Sequence, residues 1–147
     1  MSRVYGFDGL HRFLSNYADS PITIEGITYP TVEHAFAAAK TRDRALRARI
    51  AAAPTPGIAK RMGRTLRLRD DWEQIKTDTM RYLVRLKFRT HADLARRLLE
   101  TGDAELIEAN TWGDVIWGVD RATGIGENRL GRILMEIRAE LAHNTAA

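Results

Sequence analysis

The chain has 147 residues, a formal net charge of +4, a mean hydropathy of −0.34 and no cysteine. That length can bury a core without disulfides or metals, and the missing cysteines exclude thiolate zinc sites and thiol nucleophiles. No apolar run approaches the ~20 residues that span a bilayer, and the N-terminal MSRVYGFDGL has no signal-peptide core, so a cytoplasmic protein without membrane partners is expected.

Val4 to Leu14 mixes apolar residues with Gly6 and Gly9 and reads as a short strand, a turn and another extended piece. Next, Ser15 and Asn16 form a polar pair between Leu14 and Tyr17. Such a pair serves a local turn or presents a hydroxyl and an amide to a ligand. Ile22 to Tyr29 alternates apolar and polar residues around Glu25-Gly26, the pattern of a hairpin. Pro30 and Thr31 then start a helix whose alanine-rich body runs to Lys40. Within it, Glu33 and Lys40 stand seven residues apart, close to two turns, and so share a face with Phe36 and Ala37 between them. Either they are solvated charges at the helix ends, or a carboxylate and an amine line a pocket. A second helix is expected from Asp43 to Ala53, closed by Pro54. A third is capped by Thr55, opened by Pro56 and stopped by Gly63.

Asp70 or Asp71 should cap the longest helix, about Trp72 to Arg89, with Ile75, Thr79, Leu83 and Leu86 or Lys87 at helical spacing. Thr90 opens the next, His91 to Glu100, with Leu94, Leu98 and Leu99 inward. Leu106 to Ala109 reads as a buried strand. Asn110 to Gly131 is rich in tryptophan and glycine, and a final amphipathic helix spans Arg129 to Leu141, leaving His143 to Ala147 to fray. The expectation is one domain over residues 1–142 and a tail over 143–147.

The charge is uneven. Lys40 to Arg69 carries ten basic residues against one acid, Asp43, a local balance of +9, which points to an anionic partner. Nineteen of the 23 basic residues are arginine, a bias that genome composition alone can also produce. The histidines His11, His34, His91 and His143 are scattered without metal-ligand spacing, and His34 is placed to pack or hydrogen-bond beside Glu33. Gly124-Ile125-Gly126 lacks the remainder of a dinucleotide fingerprint, there is no P-loop, and Ser15 lacks a nucleophile elbow. No metal or cofactor is expected. The remaining chemistry is the carboxylates Glu33 and Asp114, the amine of Lys40, and tryptophans near polar groups. Glycosidic cleavage uses such parts: an acid for the leaving group, a carboxylate for the cationic anomeric carbon or for water, and flat apolar surfaces. A lysine offers a second route, through an imine with the opened sugar. A ligand-binding module fits the same composition.

The stretches FLSNY (13–17), TVEHAFAAAK (31–40), TPGIAKRMGR (55–64), RDDW (69–72), LETGD (99–103), DVIWG (114–118) and NRLGRILMEIR (128–138) together resemble the NADAR, or YbiA-like, family over nearly the whole length. The resemblance implies a helix-rich α+β domain with a small antiparallel sheet and N-glycosidase activity. It implies two substrate groups: ADP-ribose on guanine, in DNA or in nucleotide, and the early intermediates of riboflavin synthesis. A non-catalytic module binding ADP-ribose or NAD is the third reading. By position, the resemblance makes Glu33 the catalytic carboxylate, gives Lys40 a covalent or electrostatic role, and makes Asp114 a second acid or ribose contact. Trp72 and Trp117 become pocket walls, and Asn16, Lys60, Arg61 and Arg64 hold phosphate or sugar. Ser15, His34, Gly118 and Asn128 complete the expected substrate contacts. The Ala37-Ala38-Ala39 run departs from the Gln that relatives often carry there, and the loop 118–126 varies between subgroups, which bears on substrate more than on reaction class.

Overall fold

In the computed structural model, which describes residues 2–146, the hairpin expected around Glu25-Gly26 forms as β2 (Ile22–Ile24) and β3 (Ile27–Tyr29). The strands are antiparallel, with Ile22 opposite Tyr29 and Ile24 opposite Ile27. Both turn residues have positive φ, 52° at Glu25 and 80° at Gly26, the backbone of a type I′ turn. The chain divides into two compact units, one of residues 16–90 and the other of the segments up to Ser15 and from His91 onward.

The 16–90 unit contains this hairpin and four helices, α1 (Val32–Ala39), α2 (Arg44–Ala51), α3 (Pro56–Arg64) and α4 (Trp72–Thr90). Each of the first three starts at a residue whose side chain accepts backbone N–H bonds: Thr31, Asp43 and Thr55. Helix α1 packs against α2, α3 and α4, which explains why Val32 to Ala38 are all buried. The short alanines let the neighbouring helices approach closely.

Gly63 was expected to stop α3 but lies inside it and is buried. A Cβ there would sit 3.0 Å from the Ala37 Cβ and 3.3 Å from its Cα, so the glycine is the contact point of α3 on α1. Gly63→Val should therefore force the two helices apart and cost about 1–3 kcal/mol, the usual penalty of overpacking, seen as a lower urea midpoint. An unchanged midpoint would mean that α3 can move away freely.

The other unit pairs β1 (Arg3–Tyr5) with β4 (Glu105–Ile107) and β5 (Ala109–Asn110) with β6 (Val119–Asp120), both in parallel. Gly6 and Gly9 have φ of 99° and 53°, and the second extended piece expected after them is instead a 3-10 helix, Gly9–Leu14. Its turns are held by the Arg97 guanidinium, which donates to the Leu10 carbonyl at 3.1 Å and lies 4.2 Å above the Phe13 ring. Helices α5 (Ala92–Glu100) and α6 (Arg129–Ala146) pack on each other, and α6 covers β4 with Leu130, Ile133, Leu134 and Ile137 buried. The last helix continues past Leu141 to Ala146, because no glycine or proline interrupts it; of the stretch expected to fray, Ala147 lies outside the described residues. No helix among the described residues is long and apolar enough to cross a membrane.

Candidate active site

The first turn of α1 is locked from both sides. Thr31, with extended backbone, accepts the His34 N–H on Oγ1 at 3.1 Å. The same hydroxyl lies 2.8 Å from His34 Nδ1, while His34 Nε2 lies 3.0 Å from the Ala53 carbonyl oxygen. A carbonyl only accepts, so Nε2 carries the hydrogen and Nδ1 accepts from Thr31. His34 is 1% exposed and has no ring nitrogen left for a ligand; it anchors α1 to the end of α2.

This anchoring orients Glu33, which is 9% exposed and whose N–H donates to the Asn16 carbonyl at 3.1 Å. The Asn16 side chain is itself buried, its Nδ2 3.4 Å from Met80 Sδ. At the other end of α1, Lys40 is half-buried and caps the helix, and its carbonyl accepts the Arg69 N–H at 2.9 Å. The Lys40 ammonium is 6.0 Å from the centre of the Phe36 ring, and that ring meets Trp72 at 5.0 Å with a 53° tilt. Trp72 is only 5% exposed, so it backs Phe36 rather than forming an open wall. Burial pulls the Lys40 pKa below its ordinary value; Glu33 raises it, and the positive charges of Arg64 and Lys60 lower it again. The 16–90 unit thus assembles Asn16, Glu33, Lys40, Lys60, Arg64 and an aromatic pair. Among the described residues, neither Lys60, Arg61 nor Arg64 is paired with a carboxylate, whereas Arg42 and Arg69 share Asp71 at 3.2 and 2.7 Å.

The remaining expected site residues belong to the other unit. Ser15 is half-buried and caps the 3-10 helix, its N–H on the Arg12 carbonyl. Asp114 is a turn-former: one carboxylate oxygen accepts the N–H groups of Ile116 at 3.1 Å and Trp117 at 2.9 Å. Its backbone is held in turn by Asn110, whose side chain donates to the Asp114 carbonyl and accepts from its N–H. Trp117 is half-buried, while Trp112, Val115 and Ile116 on the same loop are exposed. Gly118 packs so closely on Glu108 that a Cβ would collide with both its carboxylate and its carbonyl. Asn128 has a positive φ of 51°; its side chain accepts from the Glu108 N–H and donates to the Leu106 carbonyl, both at 2.9 Å. Both residues thus shape the loop between β4 and α6. Asn110, the buried hub of this loop, carried no signal in the sequence beyond its position before Trp112.

The sequence also left Lys87 undecided between faces of α4. The structure buries it, 1% exposed, with its ammonium 5.3 Å from the Phe88 ring, and desolvation lowers its pKa from 10.5 to about 7. A lysine with a depressed folded pKa is proton-poor in the fold and proton-rich when unfolded between those two values, so stability should rise with pH from about 7 toward 10.5. In Lys87→Met this rise should flatten, measured by urea unfolding at pH 7 and pH 9.5. A slope identical to that of the parent chain would assign the effect elsewhere. Among the described residues, no group of three or more His, Asp or Glu side chains is arranged to hold a metal ion.

Comparison with known proteins places these features in a family. The family model described as NADAR domain matches residues 4–142. The N-glycosidase YbiA of Escherichia coli strain K12 is 45% identical over 130 residues, covering 87% of this chain and 80% of that protein. The riboflavin biosynthesis protein VVA0006 of Vibrio vulnificus strain YJ016 is 40% identical over 139 residues, which cover 93% of this chain and 37% of that protein. The NMR structure of E. coli YbiA superposes with a TM-score of 0.84 at 40% identity, covering 98% of this chain and 86% of that one. With a family model spanning nearly the whole length and a relative of this similarity, the chain belongs to the NADAR family.

Proposed function

We propose that this chain, an N-glycosidase, cleaves the bond between a base nitrogen and ribose with Glu33 and Lys40, and that its substrate is ADP-ribosylated guanine. The reaction class rests on the relatives named N-glycosidase. The observation that carries the residue assignment is the half-buried Lys40 amine, its pKa depressed by burial, within electrostatic reach of the buried Glu33 on one face of α1. A neutral amine attacks the anomeric carbon, and the carbon–nitrogen bond breaks with its electron pair going to the base, which takes up a proton. Opening of the ribose ring gives a protonated imine on Lys40. Water then adds to the imine carbon, and the sugar leaves as the free aldehyde while the amine is restored. Glu33 moves the protons and stabilises positive charge at the anomeric carbon. The acid-free cations Lys60, Arg61 and Arg64 favour a substrate with two phosphates.

A second reading keeps this chemistry and takes a ribosylated pyrimidine intermediate of riboflavin synthesis as substrate; the name of the Vibrio relative favours it. Incubation with an oligonucleotide carrying ADP-ribosyl guanine, and separately with the pyrimidine intermediate, distinguishes the two. Release of free ADP-ribose is expected. No release at high enzyme concentration, with turnover of the intermediate, would select the second reading.

A further inference from the structure

The unit built from the two terminal segments holds a groove of about 610 Å³ that none of the reaction chemistry uses. Its volume lies in the range of small-molecule sites, roughly 300–1,000 Å³. Three arginines from three elements reach it: Arg3 on β1, Arg121 after β6 and Arg132 on α6. Two of them flank Tyr5, and Arg132 lines the same groove from α6. The Arg3 guanidinium lies 4.6 Å above the Tyr5 ring and that of Arg121 5.8 Å from its centre, while the Tyr5 hydroxyl donates to the Arg121 carbonyl at 2.8 Å.

Gly6 has a φ of 99°, a backbone conformation that favours glycine, and the Arg121 guanidinium end lies beside it, 2.5 Å from where a Cβ would stand. Gly124 and Gly126, also at positive φ, line the groove with backbone beside Arg121 and Thr123. Charge neutralisation is incomplete. Arg3 and Arg132 have no carboxylate partner among the described residues, and Arg121 reaches only the exposed Asp8 at 3.7 Å. Of the two acids at the groove, Glu127 is tied to Arg129 at 2.9 Å, which leaves Glu105. Two to three guanidinium groups facing one carboxylate select a phosphate monoester, since guanidinium forks match phosphate oxygens. Glu105 and Thr123 then supply an acceptor and a hydroxyl for the hydroxyl groups of a sugar.

We propose that this groove binds a phosphorylated ribose, as in a nucleoside monophosphate or a ribose phosphate, with Arg3, Arg121 and Arg132 on the phosphate and Glu105 on the sugar. The site stands on residues outside Thr31–Trp72 and does not depend on which glycoside the chain cleaves.

Titration of the ¹⁵N-labelled protein with AMP, ribose 5-phosphate and adenosine tests it. The two phosphates should shift the amides of Tyr5 and of residues 122–124 saturably, and adenosine should not. Arg3→Glu with Arg132→Glu should weaken the AMP response at these amides by tenfold or more. If that double variant does not fold, Arg3→Gln and Arg132→Gln should each weaken it severalfold. Absence of shifts at about 5 mM AMP, where a millimolar site would be mostly filled, overturns the proposal. So does an equal response to adenosine, or one that survives the arginine substitutions.

Discussion

Glu33→Gln should lower turnover of the glycoside by about two orders of magnitude or more, the scale of a lost general acid or base. Glutamine keeps the side-chain shape, and the N–H of residue 33 still has the Asn16 carbonyl at 3.1 Å, so the loss should fall on turnover rather than on folding. A thermal unfolding midpoint within a degree or two of the parent, alongside the kinetic loss, is the expected pair of results. Turnover near that of the parent in a folded variant would remove Glu33 from the reaction.

Lys40 should give the other large effect. If its amine attacks the anomeric carbon, borohydride added during turnover fixes the opened sugar to Lys40, and mass spectrometry of the digested protein finds the adduct there. Lys40→Arg keeps a positive charge but loses the nucleophile, and should cost about a thousandfold or more. An electrostatic lysine predicts the reverse: no adduct, and substantial turnover in the arginine variant. The pH profile adds a signed check. Burial, Arg64 and Lys60 lower the Lys40 pKa, so the reactive neutral amine appears at lower pH than for a solvated lysine. Turnover should rise with pH until that depressed pKa is passed. Neutralising Arg64 or Lys60 should move the rise to higher pH.

Where a feature has a local cause, the sequence showed it. The hairpin at Glu25-Gly26, the caps at Thr31, Asp43 and Thr55, and the shared face of Glu33 and Lys40 all depend on residues a few positions apart. What it could not show depends on distant partners. The parallel pairing of β1 with β4 joins residues about a hundred positions apart, with no crossover pattern between them to announce it. Gly63 reads as a stop from its own segment and becomes a packing point only when Ala37 stands against it. Spacing alone leaves Leu86 and Lys87 as alternatives for one position of α4, and only the burial of the helix face selects Lys87. Asp114 carries the same ambiguity in chemical form: beside two tryptophans it suggests an acid for catalysis, yet one of its oxygens is occupied in closing a turn.

The eight residues of α1 have one more consequence, which concerns protonation rather than position. Glu33 sits in the first turn, after the cap Thr31, and Lys40 is the C-terminal cap. Aligned peptide dipoles leave the start of a helix partly positive and its end partly negative, an effect of about 0.3–1 kcal/mol on a nearby charge. The helix therefore favours carboxylate at residue 33 and ammonium at residue 40, and it opposes the burial and neighbouring cations that drive Lys40 toward the free amine. In the mechanism proposed above, this bias suits Glu33 to begin as a base and charge stabiliser. The proton for the departing base would then originate on Lys40, whose nitrogen becomes acidic once it has attacked, and reach the base through Glu33.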